Sequence, residues 1–277
     1  MSLPTDSTDP NDPNELNGPN DLNERSGVGA PRKTARKVPA SLLFFGDRFA
    51  AIDKPAGLSL RTSRADPHGA ARGLVEALRF RDRELFEGRE PQLVHRLDES
   101  TSGVVLVALD VDIHRELVSR FAARQAEKRY LALVWGHPRP AAGSWQAPLG
   151  PDKKDRRRMK VDAEGRAALT EYRTLGKAAH VALLELTPRT GRTHQLRVHL
   201  AAAGHPIVGD DLYGGPREHG VRPPALRAAL APGRSLLHAF RLSIPGLEPE
   251  SFEAPIPADF AAALAACKIP LAFQETP

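Results

Sequence analysis

The sequence predicts an α+β fold with a mixed, largely antiparallel sheet and flanking helices. Three observations predict it. Strand-like runs outnumber helical ones, successive runs follow one another in hairpin or meander style across turn residues, and residues 41 to 277 show neither a solenoid repeat nor a clear linker. A chain of 277 residues with a hydrophobic fraction of 41% can bury a sizeable core.

The elements justify that class in order. The run LLFFGDRFAAIDKPAG, from Leu42, reads as two strands around Gly46 and Asp47, ending at a Pro55-Ala56-Gly57 turn. Leu93-Val94 and the run from Val104 to Leu109 are apolar strand segments, joined by the polar HRLDESTSG from His95 to Gly103. In DIHRELVSRFAARQ, from Asp112, Ile113, Leu117 and Phe121 fall on one face at helical spacing. KRYLALVWG (from Lys128), ALTEYRTLG (from Ala168) and HVALLELTP (from His180) read as strands. TGRTHQLRVHLAAAG carries a helix with Thr193 as N-cap, Leu196, Leu200 and Ala203 on one face, and Gly204 as its stop. The stretches Arg61 to Arg89 and Gly215 to Arg234 read as loops suited to target recognition.

Residues 1 to 38 are rich in Asp, Asn, Pro, Ser and Gly and end in the basic RKTARK from Arg32 to Lys37. They are expected to form a disordered tail, because such a composition buries too little apolar surface to offset its ordering entropy. The ordered domain is expected over residues 39–277. Apolar runs fall far short of the ~18 residues of a membrane span. The N-terminus lacks a basic leader or apolar segment, and the single Cys267 cannot form an internal disulfide; a cytoplasmic protein without a membrane partner is the expectation.

The formal charge of +5 hides a more basic body. The first 24 residues hold six acids and no Lys or Arg; the rest carries 39 basic residues against 28 acidic ones (34 less those six), or +11. A basic body points to an anionic partner such as RNA or DNA.

HRLDESTSG is more than a turn needs. Asp98, Ser100, Thr101, Ser102 and Gly103 all favour tight loops, but a turn requires neither the carboxylate of Asp98 nor the guanidinium of Arg96, which share one side of an extended strand end. HRLDESTSG followed by VVLVAL resembles the active-site motif of the RluA family of pseudouridine synthases. KPAGLSL (from Lys54), EKRYLALVWG (from Glu127), KDRRRMKV (from Lys154) and TPRTGRTHQLRVHLAAAGHPIVGDDLYG (from Thr187) match in the same order and spacing, from about Leu42 to Asp259.

That resemblance implies a catalytic fold with a central cleft and an enzyme that isomerises uridine in RNA, by cutting the ribose C1′ to N1 bond, rotating the base and joining C5 to C1′. It implies no cofactor and no metal. Asp98 matches the catalytic aspartate, Arg197 the arginine that pairs with it, and Tyr130 the tyrosine that stacks on the target base. A guanidinium next to a carboxylate keeps it ionised, and a bidentate one would fix its orientation. Arg96 matches the arginine that enters the space left by a flipped base. Arg192 and His194 of the long block, with Arg156 and Arg157 of DKKDRRRMK, are candidate RNA contacts, provided the fold brings them to one rim. The partner is rRNA of the large subunit or tRNA, with no protein partner evident and a monomer expected. The family often has Arg or Lys after the catalytic Asp, followed by Asp or Glu, where this chain has Glu99 and Ser100. Many members carry an N-terminal S4 RNA-binding domain; ~40 tail-like residues are too few for one.

Other chemistries fit less well. His194 and His199 are five apart, off the spacing that aligns two metal ligands on a helix, and no HExxH pattern occurs. A hydrolase built on His95 with Ser100 or Ser102 lacks a GxSxG elbow. A glycosidase pairing Asp98 with Asp53 or Asp210 would be short of sugar platforms, since aromatics make up 5% of the chain. A non-catalytic RNA-binding protein on the same fold is the remaining alternative.

Overall fold

The structure is a computed structural model of the chain and describes residues 40–60 and 73–270. The expected tail with its RKTARK patch, and the first part of the Arg61 to Arg89 loop, lie outside the described residues.

In chain order the elements are β1 (Ser41–Phe45), β2 (Phe49–Lys54), α1 (Leu74–Arg81), β3 (Gln92–Leu93), β4 (Ser102–Ala108), α2 (Val111–Ala122), β5 (Glu127–Trp135), β6 (Ala142–Gln146), β7 (Leu149–Pro151), β8 (Met159–Val161), β9 (Leu169–Lys177), β10 (Val181–Pro188), α3 (Gln195–Ala202), α4 (Pro224–Ala229), β11 (Leu237–Ser243), β12 (Ser251–Glu253) and α5 (Ala258–Ala266). The main sheet runs β1-β2-β4-β11-β5-β10-β9-β6, with β3 also on β4 and β12 also on β11; β7 and β8 form a separate hairpin. Among the described residues, β4 with β11 is the parallel pair, and every other pairing is antiparallel. The fold class is therefore the one the sequence predicts.

Strand period 2 divides the side chains between two faces. Val105 and Val107 of β4 share a core with Tyr130, Ala132 and Val134 of β5, and Leu196 and Leu200 of α3 cover that face. Val104 and Leu106 point the other way, against Ile113 and Leu117 of α2. Leu131, Leu133 and Trp135 pack with Phe260 and Leu264 of α5. With both faces covered, β4 is buried throughout, which explains its unbroken apolar run.

Register sets the position of the site. Ser102 lies opposite His238 of β11, and His238 lies opposite Leu131 of β5, so the loop entering β4 ends beside Tyr130. The two parallel strands approach closely: Gly103 has φ +118°, and a Cβ there would fall 2.1 Å from the Ala239 carbonyl oxygen. Only glycine fits.

Three expectations are corrected. The segment read as a loop from Arg61 to Arg89 contains α1, because Leu74 and Leu78, four apart, bury together on the cleft-side core. The stretch Gly215 to Arg234 contains a 3-10 turn at Glu218–Gly220 and α4, a short helix starting at Pro224. Thr193 does not cap α3. The helix starts at Gln195, preceded by His194 in the left-handed region (φ 53°) with no side-chain cap. The turn is instead closed by Gln195, whose Oε1 accepts from the Arg192 N–H (3.0 Å) and the Thr190 hydroxyl (2.7 Å). Gly204 ends the helix with φ +83°, in the glycine conformation expected of it.

Candidate active site

The loop from His95 to Thr101 is braced along its length. Its backbone turns at Asp98, whose carbonyl accepts from the Thr101 N–H at 3.1 Å. The Glu99 carbonyl accepts from the Gly57 N–H at 2.8 Å and from Lys54 Nζ at 3.1 Å. Ser100 Oγ meets Ser235 Oγ at 3.1 Å, and Ser102 Oγ meets His238 Nδ1 at 3.0 Å. The two positions where this chain departs from the family pattern thus serve the loop: Glu99 through its backbone, Ser100 through its hydroxyl.

Lys54 is the anchor of this brace. It is fully buried and donates to the carbonyls of Pro55 (2.8 Å), Leu58 (3.0 Å) and Glu99. Burial pushes its ammonium down to about 8, although the charges of Glu99 and Asp98 oppose the shift. His95 has a structural place too. Its ring stacks on Phe121 with centroids 4.7 Å apart, and Nε2 accepts from the Leu106 N–H at 3.1 Å. Burial, then the charge of Lys128, holds it down at about 3, so it stays neutral.

Asp98 stands at the junction of two hollows of about 1050 and 860 Å³, and Arg96, His194 and Arg197 line both of them. Its side chain is 18% exposed, open enough to be reached by a substrate. Arg197 Nη1 lies 3.5 Å from Asp98 Oδ2, and His194 Nε2 lies 3.9 Å from Oδ1. The expected pairing of Arg197 with Asp98 is present, but the bidentate geometry is not there. It goes to Asp210, which takes Nε and Nη2 at 2.7 Å each. The reason is local: Asp210 is 1% exposed and also accepts from the backbone N–H groups of Leu212 and Tyr213 at 3.2 Å, so the loop after α3 delivers it preformed. Burial opposes the charge on Arg197, but the bonds to Asp210 and the charges of Asp210 and Asp98 outweigh it and raise its pKa.

Tyr130 is 8% exposed, wedged among the apolar side chains of the cleft-side core while still lining the larger hollow. Burial, and then the Asp98 charge, push its hydroxyl well above the usual phenol range, so it is a neutral donor and an apolar wall. Beside it Thr101 Oγ1 is buried without a hydrogen-bond partner.

The candidate RNA contacts do not gather on one rim. Arg192 lines the larger hollow, its Nε bonded to the Ala167 carbonyl at 3.0 Å. Arg157 lines the smaller one and is tied to Asp155 by bonds of 3.0 and 2.7 Å. Arg156 is exposed and lines neither, because the link between β7 and β8 turns it outward. Two contributors were missed in the sequence: Arg124 and Arg166 share the larger hollow with Arg192, whose pKa is lowered by burial and then by these two like charges. Arg124, at φ 60°, ends α2 in the left-handed region. No periodicity signals either, since each is an isolated Arg outside the regular elements, Arg124 just after α2 and Arg166 in the loop between β8 and β9.

His199 bonds Thr170 Oγ1 (2.9 Å) and His205 bonds the Trp135 carbonyl (3.0 Å), so both serve the packing around α3. Among the described residues, no group of three or more His, Cys, Asp or Glu side chains is placed to hold a metal ion, and no helix is long and apolar enough to cross a membrane.

The site thus joins a buried arginine shared by two carboxylates to a basic cleft into which one of those carboxylates opens, and comparison with known proteins places the chain among RNA-modifying isomerases. The family model described as RNA pseudouridylate synthase matches residues 48–202. The chain is 43% identical over 179 residues to a ribosomal large subunit pseudouridine synthase D of Xanthomonas campestris, covering 64% of this chain and 53% of that one. It is 40% identical over 205 residues to the dual-specificity RNA pseudouridine synthase RluA of Escherichia coli, covering 73% and 85%. The solved structure of human RNA pseudouridylate synthase domain containing 1 superposes with a TM-score of 0.63 at 32% identity, covering 83% and 87%. The chain belongs to the RNA pseudouridine synthase family, in its RluA branch. The matched part spans 63% of a Chloroflexus aurantiacus relative and about half of the Xanthomonas one.

Proposed function

We propose that this chain converts specific uridines of structured RNA, in large-subunit rRNA or tRNA, to pseudouridine, with Asp98 as the reacting carboxylate. The observation that carries this reading is the placement of Asp98: partly open, at the junction of two hollows, with its oxygens facing Arg197 and His194. The name of one relative, a ribosomal large subunit enzyme, supports the rRNA reading, and that of another, a dual-specificity RNA enzyme, supports a choice of more than one RNA target.

In this reading the target base leaves its stack, at a cost of a few kcal/mol, and enters the cleft while Arg96 fills the vacated space. Tyr130 and Leu237 wall the pocket and keep the severed uracil from escaping. Arg197 faces one oxygen of Asp98 and orients it, while its bidentate pair with Asp210 fixes the guanidinium in place. Arg124, Arg166 and Arg192 receive the phosphates on the side of the larger hollow. Each of these roles follows from ordinary side-chain chemistry. No step calls for a cofactor.

Tritium release from RNA labelled at uracil C5 tests the activity, since that hydrogen exchanges only when C5 becomes the point of attachment. Release from labelled rRNA or tRNA transcripts is the expected result. Tight RNA binding without release from any of them would favour a non-catalytic RNA-binding protein.

A further inference from the structure

Tyr213, in the loop after α3, is tied on both sides of its hydroxyl. Its oxygen accepts the Met159 N–H at 2.8 Å and lies 2.7 Å from His194 Nδ1. With one position taken by the Met159 donor, the hydroxyl proton has a partner only if it points to Nδ1. The other assignment, Nδ1–H pointing to the oxygen, would strand that proton in a half-buried site. Nδ1 is therefore the acceptor, and the imidazole proton sits on Nε2, the nitrogen that faces Asp98 Oδ1. The ring is also fixed in direction: it meets Tyr213 edge-on, with centroids 5.6 Å apart, and its backbone holds the left-handed conformation that ends the Arg192 turn. Burial lowers the pKa of His194, followed by opposing effects of Asp98 and Arg197, so the neutral ring is the resting form.

We propose that His194 is a positioning residue for Asp98, held as the Nε2–H imidazole by the Tyr213 hydroxyl so that it directs one carboxylate oxygen while Arg197 directs the other. The role rests on the reading that Asp98 reacts. Because His194 is neutral it orients the carboxylate without adding a second positive charge that would quench it. The Met159–Tyr213–His194 chain thereby couples the β7–β8 hairpin to the reacting group.

Two substitutions separate this role from a structural one. Asn at 194 keeps an acceptor near the Nδ1 position and suits the left-handed backbone, but it loses the N–H that faces Asp98. Gln places an N–H donor near the Nε2 position and tolerates that backbone less well. The expected result is that His194→Asn lowers kcat for tritium release about 10-fold or more with KM within about twofold, while His194→Gln retains kcat within about fivefold. A kcat for His194→Asn equal to or above that of His194→Gln would overturn the proposal, since a purely structural role favours Asn. Nitrogen-15 NMR of the wild-type ring provides a test independent of any variant: a protonated Nε2 and bare Nδ1 support the assignment, and the reverse tautomer removes it. A wild type that releases no tritium would instead sink the functional reading, and the tautomer measurement would still decide whether Tyr213 sets the ring.

Discussion

Asp98, Arg197 and Asp210 form one electrostatic unit, and its parts differ in what they stabilise. Arg197 with Asp210 is a buried bidentate pair, so removing one member breaks two charge-assisted bonds in a buried site, at a cost of ~3 to 5 kcal/mol. Asp210→Asn is expected to lower stability by about that amount in urea titration, and an unchanged midpoint would refute the pair's structural importance. Lys54 supplies a pH signature. Its folded pKa, about 8, lies below its ordinary 10.5, so the unfolded chain binds more protons between those values. The penalty of charging Lys54 in the folded state is present in full below pH 8 and is relieved as pH rises toward 10.5, on the order of 3 kcal/mol. Urea midpoints of wild type and Lys54→Met across that range should therefore differ in slope, the wild type gaining relative to the variant; parallel curves would contradict a depressed Lys54. At this scale the sequence was legible where a residue type was improbable for its place. An Arg and an Asp in a turn pointed to chemistry, but nothing in spacing revealed that Asp210, 13 residues after Arg197, would take the bidentate bond.

At the scale of elements, β1, β2, β4, β5, β9 and β10 were legible because each alternates or runs apolar over five or more residues, and β5, β9 and β10 fall within a residue of their predicted bounds, whereas β6, β7, β8, β11 and β12, several of them only three residues long, were not read as strands. The start of α3 was not. Thr193 is a good N-cap by type, but Gln195 reaches back across the turn to Thr190 and Arg192 and makes the cap redundant. The helix α1 was hidden in a segment that runs into the Arg- and Glu-rich stretch to Arg89, its eight residues too short to show a clear helical period. Gly103 belongs to this scale as well, since it sets the distance between β4 and β11. Gly103→Ala would force a Cβ into the Ala239 backbone from a conformation that L-residues rarely adopt. It is expected to cost more than ~3 kcal/mol or to abolish folding, with circular dichroism melting as the check; wild-type melting would mean the strands can separate freely.

For the whole molecule, part of the basic excess of the sequence lines a cleft with cations on two sides and the Asp98 carboxylate between them. The overall charge was readable from composition; its division was not, because Arg124, Arg166 and Arg192 converge from three separate loops while Arg156, in the densest basic run, lines neither hollow. Replacing Arg124, Arg166 and Arg192 together by Ala is expected to reduce the slope of log affinity for RNA against log salt by about 2, at ~0.7 to 0.9 per phosphate contact. Arg156→Ala should leave the slope unchanged. A slope unmoved by the triple change would place the RNA elsewhere on the surface.

The claim on which these rest is that Asp98 performs the chemistry and is not merely one contact in a binding groove. Asp98→Asn keeps the shape and the hydrogen-bonding size of the side chain but removes the carboxylate to which the proposal assigns the reaction. The most direct measurement is tritium release from C5-labelled RNA by this variant, paired with RNA binding measured at the same salt. Release abolished with binding within a few-fold of wild type is the predicted result; release at the wild-type rate would contradict the account.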